Sequence, residues 1–581
     1  MQRITPIILY LSLGVLQTQY ILNVGISIEE VVLQVNREHN IEINIFVNIN
    51  HEVQKLQMED PLDQLAHQYH NLPKIIETNT SAVKQLRGAH SANSLTMVFI
   101  TWENVNTTFL ALDKLLHELH FTSIIFIYLN PYELERELMY IFHMCWNYGF
   151  TSVMVWSDQK LYTYHPYPKV EIKHVNNVSQ FADKSHLENF HQFEWLQPTV
   201  EFPPRFYSYT NRYGQKVYSG YLYKLIYLFL TGHNASIEFF LFDMWSTNDS
   251  NQNLLQKCSV KRCALAPVLY NYHPTILASY CPYLAKGLFI VPSAKEIPES
   301  LYLIMPFDAP IWFIIIFCGF LFFILINGIA TLRHSNYDFG HAFLDAFKII
   351  MFLAVSSSME RSLKNFGLNL LFLFTGIFLT NYYVSSLWSL YTSKVYETEL
   401  TLLADIERTN LKIFVYEPDL ENFALLESLP PIISQRYYPG DKSLFHQYRK
   451  NLNMTYLYTG LEDLVDYIFL QQTFLKRPFA KKLSETFFHQ PFIVAMVHRS
   501  PLYEQFNRYL SRIFEHGILS KFITDSYWEG IVGGEFKLLK DPAEQYVALN
   551  MTYFQYAFVI LVFTWIGAFL VLLLELACHS S

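Results

Sequence analysis

Basic blocks, phosphate-binding loops and catalytic constellations are all missing from this chain of 581 residues. Its formal net charge is −9 and charged residues make up only 16%. Without a cluster of Lys and Arg, nucleic acid is not an expected partner. No glycine-rich loop is present to cradle a nucleotide phosphate. No Ser-His-Asp or Cys-His set has supporting context. His117-Glu118-Leu119-His120 comes nearest to a metalloprotease pattern, but its histidines stand three apart, whereas the zinc motif needs them four apart on one helix face. No enzyme activity, metal or cofactor is therefore expected. The six cysteines add little. Cys258 and Cys263 bracket a tight basic turn and are the candidate local bridge, the alternative being buried free thiols.

What is present is apolar residues, at 51%, with aromatics at 17%. Three runs, Ile311–Leu332, Leu368–Tyr391 and Phe554–Leu574, each have the ~20 residues an α-helix needs to cross a bilayer core. Between the first two lies Ala342–Val355, too short to span and too apolar for an ordinary loop. Re-entrant backbone survives at membrane depth only inside protein or beside a water-filled cavity. Span, short apolar segment, span, hydrophilic insert and last span is the plan of a channel whose soluble domain is split around its pore.

The chain starts Met1-Gln2-Arg3 and continues into the apolar run Ile7–Leu16, which reads as a secretory signal peptide over residues 1–20. Glycosylation sequons fall at Asn79, Asn106, Asn177, Asn234, Asn248, Asn453 and Asn550. Five precede the first span and two lie between the second and third, the sides an extracellular N-terminus makes lumenal. Arg333, Arg361 and Lys364 flank the re-entrant segment and agree with a cytoplasmic face there. A multi-pass plasma-membrane glycoprotein is expected, with residues 578–581 as its cytoplasmic tail.

Residues 21–195 form an expected N-terminal α/β extracellular domain. Strand-like Leu95–Ile100, Ser123–Tyr128 and Ser152–Trp156 alternate with helical patterns through Phe109, Leu112, Leu116 and Leu138, Ile141, Cys145, which is βαβαβ and a largely parallel sheet. Pro198, Pro203 and Pro204 mark an expected linker around Glu194–Pro204. Residues 196–305 and 393–550 then read as two halves of one soluble unit, with strands at Lys412–Tyr416 and Ile493–Val497. The membrane parts are 306–392 and 551–577.

Several segments resemble the ionotropic glutamate receptor superfamily, and within it the divergent insect ionotropic chemosensory receptors. Ala264-Leu265-Ala266-Pro267 and Tyr280-Cys281-Pro282-Tyr283 look like first-lobe elements, and Pro306-Phe307-Asp308-Ala309-Pro310-Ile311-Trp312 resembles the collar before the first span. Thr380-Asn381-Tyr382-Tyr383-Val384-Ser385-Ser386-Leu387-Trp388-Ser389 occupies the gate motif. Arg499-Ser500-Pro501-Leu502, then Ile513-Phe514-Glu515-His516-Gly517-Ile518-Leu519 and Trp528, is similar to the closing helix pair of the second lobe. The resemblance implies α/β extracellular domains containing a periplasmic-binding-protein-like two-lobed clamshell, joined to an α-helical membrane domain with three spans and a re-entrant pore loop. It implies a ligand-gated cation channel subunit for a small-molecule chemical cue (taste, odour or pheromone). Co-receptor subunits of the same family would complete a heterotetramer, placed in the dendrite or cilium of a sensory neuron. The alternative is a non-conducting accessory or trafficking subunit of the same fold. A transporter is disfavoured, since three spans offer no internal repeat.

The pocket departs from that family. The arginine that would hold an amino acid's carboxylate falls at His273 or Pro274, and the acid that would take its amine falls near Gln471-Gln472-Thr473. Glutamate is therefore not an expected ligand. Tyr270, His273, Gln471 and Gln472 are the candidate ligand contacts, each with a packing, turn or helix-surface role as the alternative. Ser356, Ser357 and Ser358, at the tip of the re-entrant segment, suit a wet constriction or a helix cap. Asn381, Ser385, Ser386 and Ser389 are the gate candidates, though a plain packing seam would use the same small residues.

Overall fold

The structure is a computed structural model and describes residues 27–49, 72–78, 85–88, 90–91, 93–129, 131–176, 178, 188–242, 263–266, 277–332, 339–353, 366–416, 431–497, 499–541 and 551–579. The chain divides into two compact units. Met1–Val291 and Glu407–Lys540 form the first, and Pro292–Ile406 with Asp541–Ser581 form the second.

The first unit begins with a seven-stranded sheet in the order β2-β1-β3-β4-β5-β6-β7. Its strands are β1 (Ile43–Val47), β2 (Lys74–Glu77), β3 (Ser94–Ile100), β4 (Ser123–Tyr128), β5 (Val153–Ser157), β6 (Lys160–His165) and β7 (Glu171–Val175). From β2 to β5 the pairing is parallel. Every residue of β1, β3 and β4 is buried. This is why those strands read as continuous apolar runs instead of alternating, since helices cover both faces of a parallel sheet. On one face, α2 (Val105–Leu115) and α3 (Leu134–Tyr148) bury Phe109, Leu112, Ile141 and Phe142 against Val98, Phe126 and Val155. On the other, α1 (Ile28–Glu38) places Val31, Val32 and Val35 on Phe46, Met97 and Ile125. Ser27 caps α1 by accepting from the Glu30 amide. The βαβαβ pattern expected over 95–165 is this β3-α2-β4-α3-β5 segment. It is followed by an antiparallel hairpin whose two-residue loop, Asp158-Gln159, has φ of 48° and 59°, both positive as a twist-matched tight turn requires.

Glu194–Pro204 is not the linker its prolines suggested. Glu194–Thr199 is strand β8, parallel to β11 (Ser236–Leu241), and Trp195, Gln197 and Thr199 are buried. The apolar and β-branched side chains there outweigh a single Pro198.

The remainder of the first unit is built from both sequence blocks together. β13 (Leu284–Pro292), from the first block, pairs antiparallel with β16 (Leu457–Leu461), from the second. β12 (Leu277–Ala278) likewise pairs with β19 (Ala495–Met496). β14 (Ile413–Tyr416) lies parallel to β16 on its other side. Helix α4 (Tyr221–Gly232) of the first block shares one core with α10 (Tyr503–Glu515) and α11 (Ile518–Val532) of the second, through Leu225, Phe229, Phe506, Leu510 and Leu519.

The second unit contains three helices long and apolar enough to cross a membrane: α5 (Ala309–Leu332), α7 (Phe366–Thr392) and α12 (Gln555–His579). The short apolar segment between the first two forms α6 (Phe339–Ile350). Ala342, Ala346 and Ile349 on α6 pack with Phe322 and Ile326 of α5 and Phe372 of α7, the small alanines allowing close approach.

Candidate functional site

The least expected feature of the first unit is a buried ion pair between the two sequence blocks. Arg205 donates from Nε to Asp463 Oδ2 at 2.8 Å and from Nη2 to Oδ1 at 3.1 Å, a bidentate fork matched to a carboxylate. Arg205 is 8% exposed and Asp463 9%. Arg205 comes from the turn Phe202–Phe206, closed by reciprocal bonds between those two backbones, and its guanidinium lies 5.1 Å from the Phe202 ring centroid. Asp463 sits in the first turn of α9 (Glu462–Phe469), immediately after β16, where the helix dipole favours a carboxylate.

Two tyrosines complete the cluster. Tyr221, the first residue of α4, donates to Asp463 Oδ2 at 2.7 Å, and Tyr527 of α11 donates to the Asp463 carbonyl at 2.8 Å. Gly220 makes this possible. At φ 116°, a Cβ there would come 2.3 Å from the Arg205 carbonyl oxygen, the oxygen that accepts from the Leu222 amide. A second tie runs from Lys224 to Glu529 at 2.7 Å.

The electrostatics are those of a committed pair. Burial alone pushes the Asp463 carboxyl up, yet the Arg205 guanidinium and its hydrogen bonds hold it below the usual carboxylate value. Burial opposes the charge on Arg205, and Asp463 and Tyr221 more than offset this, so its affinity for the proton rises. The pair anchors two segments 258 residues apart.

A second cluster gathers the ends of the three long apolar helices. Ile297 N–H donates to the Val395 carbonyl and Glu397 N–H to Lys295, so the segments before α5 and after α7 pair as a short antiparallel ribbon. Lys394 closes it on Glu296 at 2.9 Å. Tyr302, Tyr391 and Tyr553 pack ring to ring at 5.6–6.4 Å, and Tyr553 donates to Glu299 at 2.7 Å. The segment before α12 thereby joins the other two.

Of the candidate ligand residues, Tyr270 and His273 lie outside the described residues. Gln471 and Gln472 are buried, not on a helix surface. Gln471 Nε2 donates to the carbonyls of Lys450 and Ile468, and Gln472 bonds Ala480 through both ends of its amide. Both glutamines lie in the 3-10 turn Leu470–Gln472, and these bonds tie that turn to the backbone of Lys450, Ile468 and Ala480. Ser356, Ser357 and Ser358 lie outside the described residues. Asn381, Ser385 and Ser389 stand four apart on α7 and are exposed, with Ser386 half-buried.

Cys263 is a buried free thiol packed beside Val200, Phe242 and Ala495, so the expected bridge to Cys258 is not made; Cys258 itself lies outside the described residues. Of the sequons, Asn106 and Asn234 are exposed. Asn453 accepts from both the amide and the hydroxyl of Thr455, at 3.1 and 2.6 Å. Asn79, Asn177, Asn248 and Asn550, and the signal segment 1–20, lie outside the described residues.

Sequence reasoning missed Arg205 and Asp463. The available signal was local. Arg205 interrupts Phe202-Pro203-Pro204-Arg205-Phe206-Tyr207, and Asp463 opens a helix whose next residues are apolar. No protein-family model matches this chain, and no curated protein matches it.

Proposed function

We propose that this chain is a subunit of a ligand-gated cation channel that detects small-molecule chemical cues. The observation that carries the reading is the interleaving of its two soluble blocks. β13 pairs with β16 across an inserted unit containing three membrane-length helices and the short packed α6. The chain crosses between its units at 291–292, 406–407 and 540–541, and the tyrosine cluster and ribbon tie together all three segments that lead to the long helices. In this reading the soluble blocks form a two-lobed clamshell, and α6 belongs to a re-entrant pore loop with Ser356, Ser357 and Ser358 as its pore candidates. Only a ligand with different affinity for the open and closed clamshell shifts the gate; the three tied linkers carry that shift to α7.

Assembly around a shared axis follows, because one short segment cannot enclose a path. Two features support it: the membrane window of α12 has no buried share within the chain, and the Asn381, Ser385, Ser389 face of α7 is exposed. We place the protein in the plasma membrane of a sensory cell with co-receptor subunits in a heterotetramer. Its cues are small neutral polar or weakly charged compounds. A zwitterionic amino acid that used Arg205 and Asp463 would first have to part a buried pair already satisfied by its own partners.

The test is whole-cell recording from cells expressing the chain with candidate co-receptors against a panel of such compounds. Ser357→Lys is expected to abolish inward cation current without lowering surface expression. Unchanged conductance and block would remove residues 356–358 from the pore and favour the accessory-subunit reading.

A further inference from the structure

Arg499 sits in the left-handed backbone region at φ 66°, uncommon for a residue with a long side chain. It is held there from both ends. Its carbonyl presses on Gly149, itself at φ 77°, where a Cβ would come 2.2 Å from the Arg499 oxygen. Its guanidinium donates to both carboxylate oxygens of Asp113, at 2.8 and 2.5 Å, and lies 4.3 Å from the Tyr148 ring centroid. His120 bonds the same Asp113 at 3.0 Å while stacking on Phe150. Burial raises the Asp113 carboxyl, but the bonds from His120 and Arg499 hold it down at about 2. Phe121 stacks on Tyr503 alongside, at 5.3 Å.

These contacts connect two parts of the first unit. Asp113, Tyr148 and Gly149 belong to the N-terminal sheet domain, whereas Arg499 begins the loop into α10. The cavity beside them, lined by Glu118, His120, Ser500 and Tyr503, holds about 10 Å³, room for roughly one water. A ligand does not fit there, so the strain serves contact. Backbone strain of this kind persists only where the surroundings over-determine it, and it gathers where geometry matters to function.

Arg499 lies three residues before Leu502, which is buried in the core that α10 and α11 share. Phe506 of α10 meets Phe229 edge-on at 5.2 Å, α10 and α11 share a core through Leu510 and Leu519, and Tyr527 of α11 donates to the Asp463 carbonyl. We propose that Arg499 is a positioning residue through which the N-terminal domain sets the packing of α10 and α11, and with it the hold on Asp463. Whatever binds or displaces that domain then biases the buried pair from a distance. The inference does not depend on ion conduction, and its test reads none.

The test is hydrogen–deuterium exchange on the full chain in nanodiscs. Arg499→Lys keeps the charge but loses the fork and the ring contact. Amides over 105–120, 503–515 and 457–469 should exchange about two- to fivefold faster, the range for a half-exposed charged pair, with strands 94–100 and 123–128 unchanged. Exchanging the charges, Asp113→Arg with Arg499→Asp, should return 457–469 towards wild type relative to Asp113→Arg alone, since Asp tolerates the left-handed backbone. If Asp113→Arg does not accumulate as folded protein, recovery of folded protein in the exchanged pair is the corresponding result. Acceleration confined to 499–502, acceleration spread equally over the sheet, or an exchanged pair no better than Asp113→Arg would each overturn the proposal.

Discussion

Replacing Arg205 by methionine is expected to destabilise the first unit by about 3–5 kcal/mol, because it leaves Asp463 charged, buried and without its cation. Asp463→Leu alone should cost a similar amount by stranding the guanidinium. The double variant Arg205→Met with Asp463→Leu should recover most of the loss, since an apolar pair of similar volume needs no compensation for desolvation. Denaturant unfolding of the detergent-solubilised chain, followed by tryptophan fluorescence, measures all three. A double variant as unstable as the sum of the singles would mean that the pair is not coupled as its geometry requires.

The same pair sets an acid limit. A carboxyl held below its ordinary value adds stability that is full above the unfolded-state value, near 3.9, and is lost as pH falls through the folded-state value. Asp463 and Asp113 both behave so, the latter with its folded value at about 2. Wild-type unfolding should therefore steepen below about pH 4, and the Arg205→Met, Asp463→Leu double variant should lose part of that steepness.

Gly220→Val is expected to have the second large effect. A φ of 116° with ψ 150° is a region that essentially only glycine occupies. A Cβ would also meet the Arg205 carbonyl oxygen at 2.3 Å and the Phe206 Cα at 2.8 Å. Backbone atoms cannot swing aside like a side-chain tip, so the start of α4 must separate from the Arg205 turn. Strain and displacement together should cost about 3 kcal/mol or more. Gly517, at φ 69° with nothing within 4 Å of a built Cβ, is the control. Gly517→Ala should cost about 1 kcal/mol from backbone strain alone. Equal losses at both sites would mean that contact with Arg205 contributes nothing.

The parts of the fold that can be read from sequence are those with a strong local pattern. The three long helices and the short apolar one between them announce themselves by run length, and β3 to β5 by buried β-branched runs alternating with helical periodicity. What could not be read depended on distant partners. β1 and β2 are short strands, Ile43–Val47 and Lys74–Glu77; β1 is placed by β3, with Ile43 opposite Ser94, and β2 is placed by β1, with Asn44 opposite Lys74. Glu194–Thr199 contains a proline and still pairs as β8, because its partner β11 supplies the register. Gln471 and Gln472 look like ordinary surface amides until the backbone around them folds back to accept and donate. Arg205 and Asp463 illustrate the general difficulty: each alone is an unremarkable charge, and only the fold brings them within bonding distance.

The claim that α7 lines a conducting path rests on Asn381, Ser385 and Ser389, and one measurement reaches it directly. Ser385→Cys is introduced and a membrane-impermeant, positively charged thiol reagent is applied from outside, with and without the compound that activates the wild-type assembly. We expect current to be blocked irreversibly, several-fold faster while the activating compound is present, because opening admits the reagent to that face. Surface protein that is never modified in either condition, with cue-evoked current intact, would contradict a conducting path along α7.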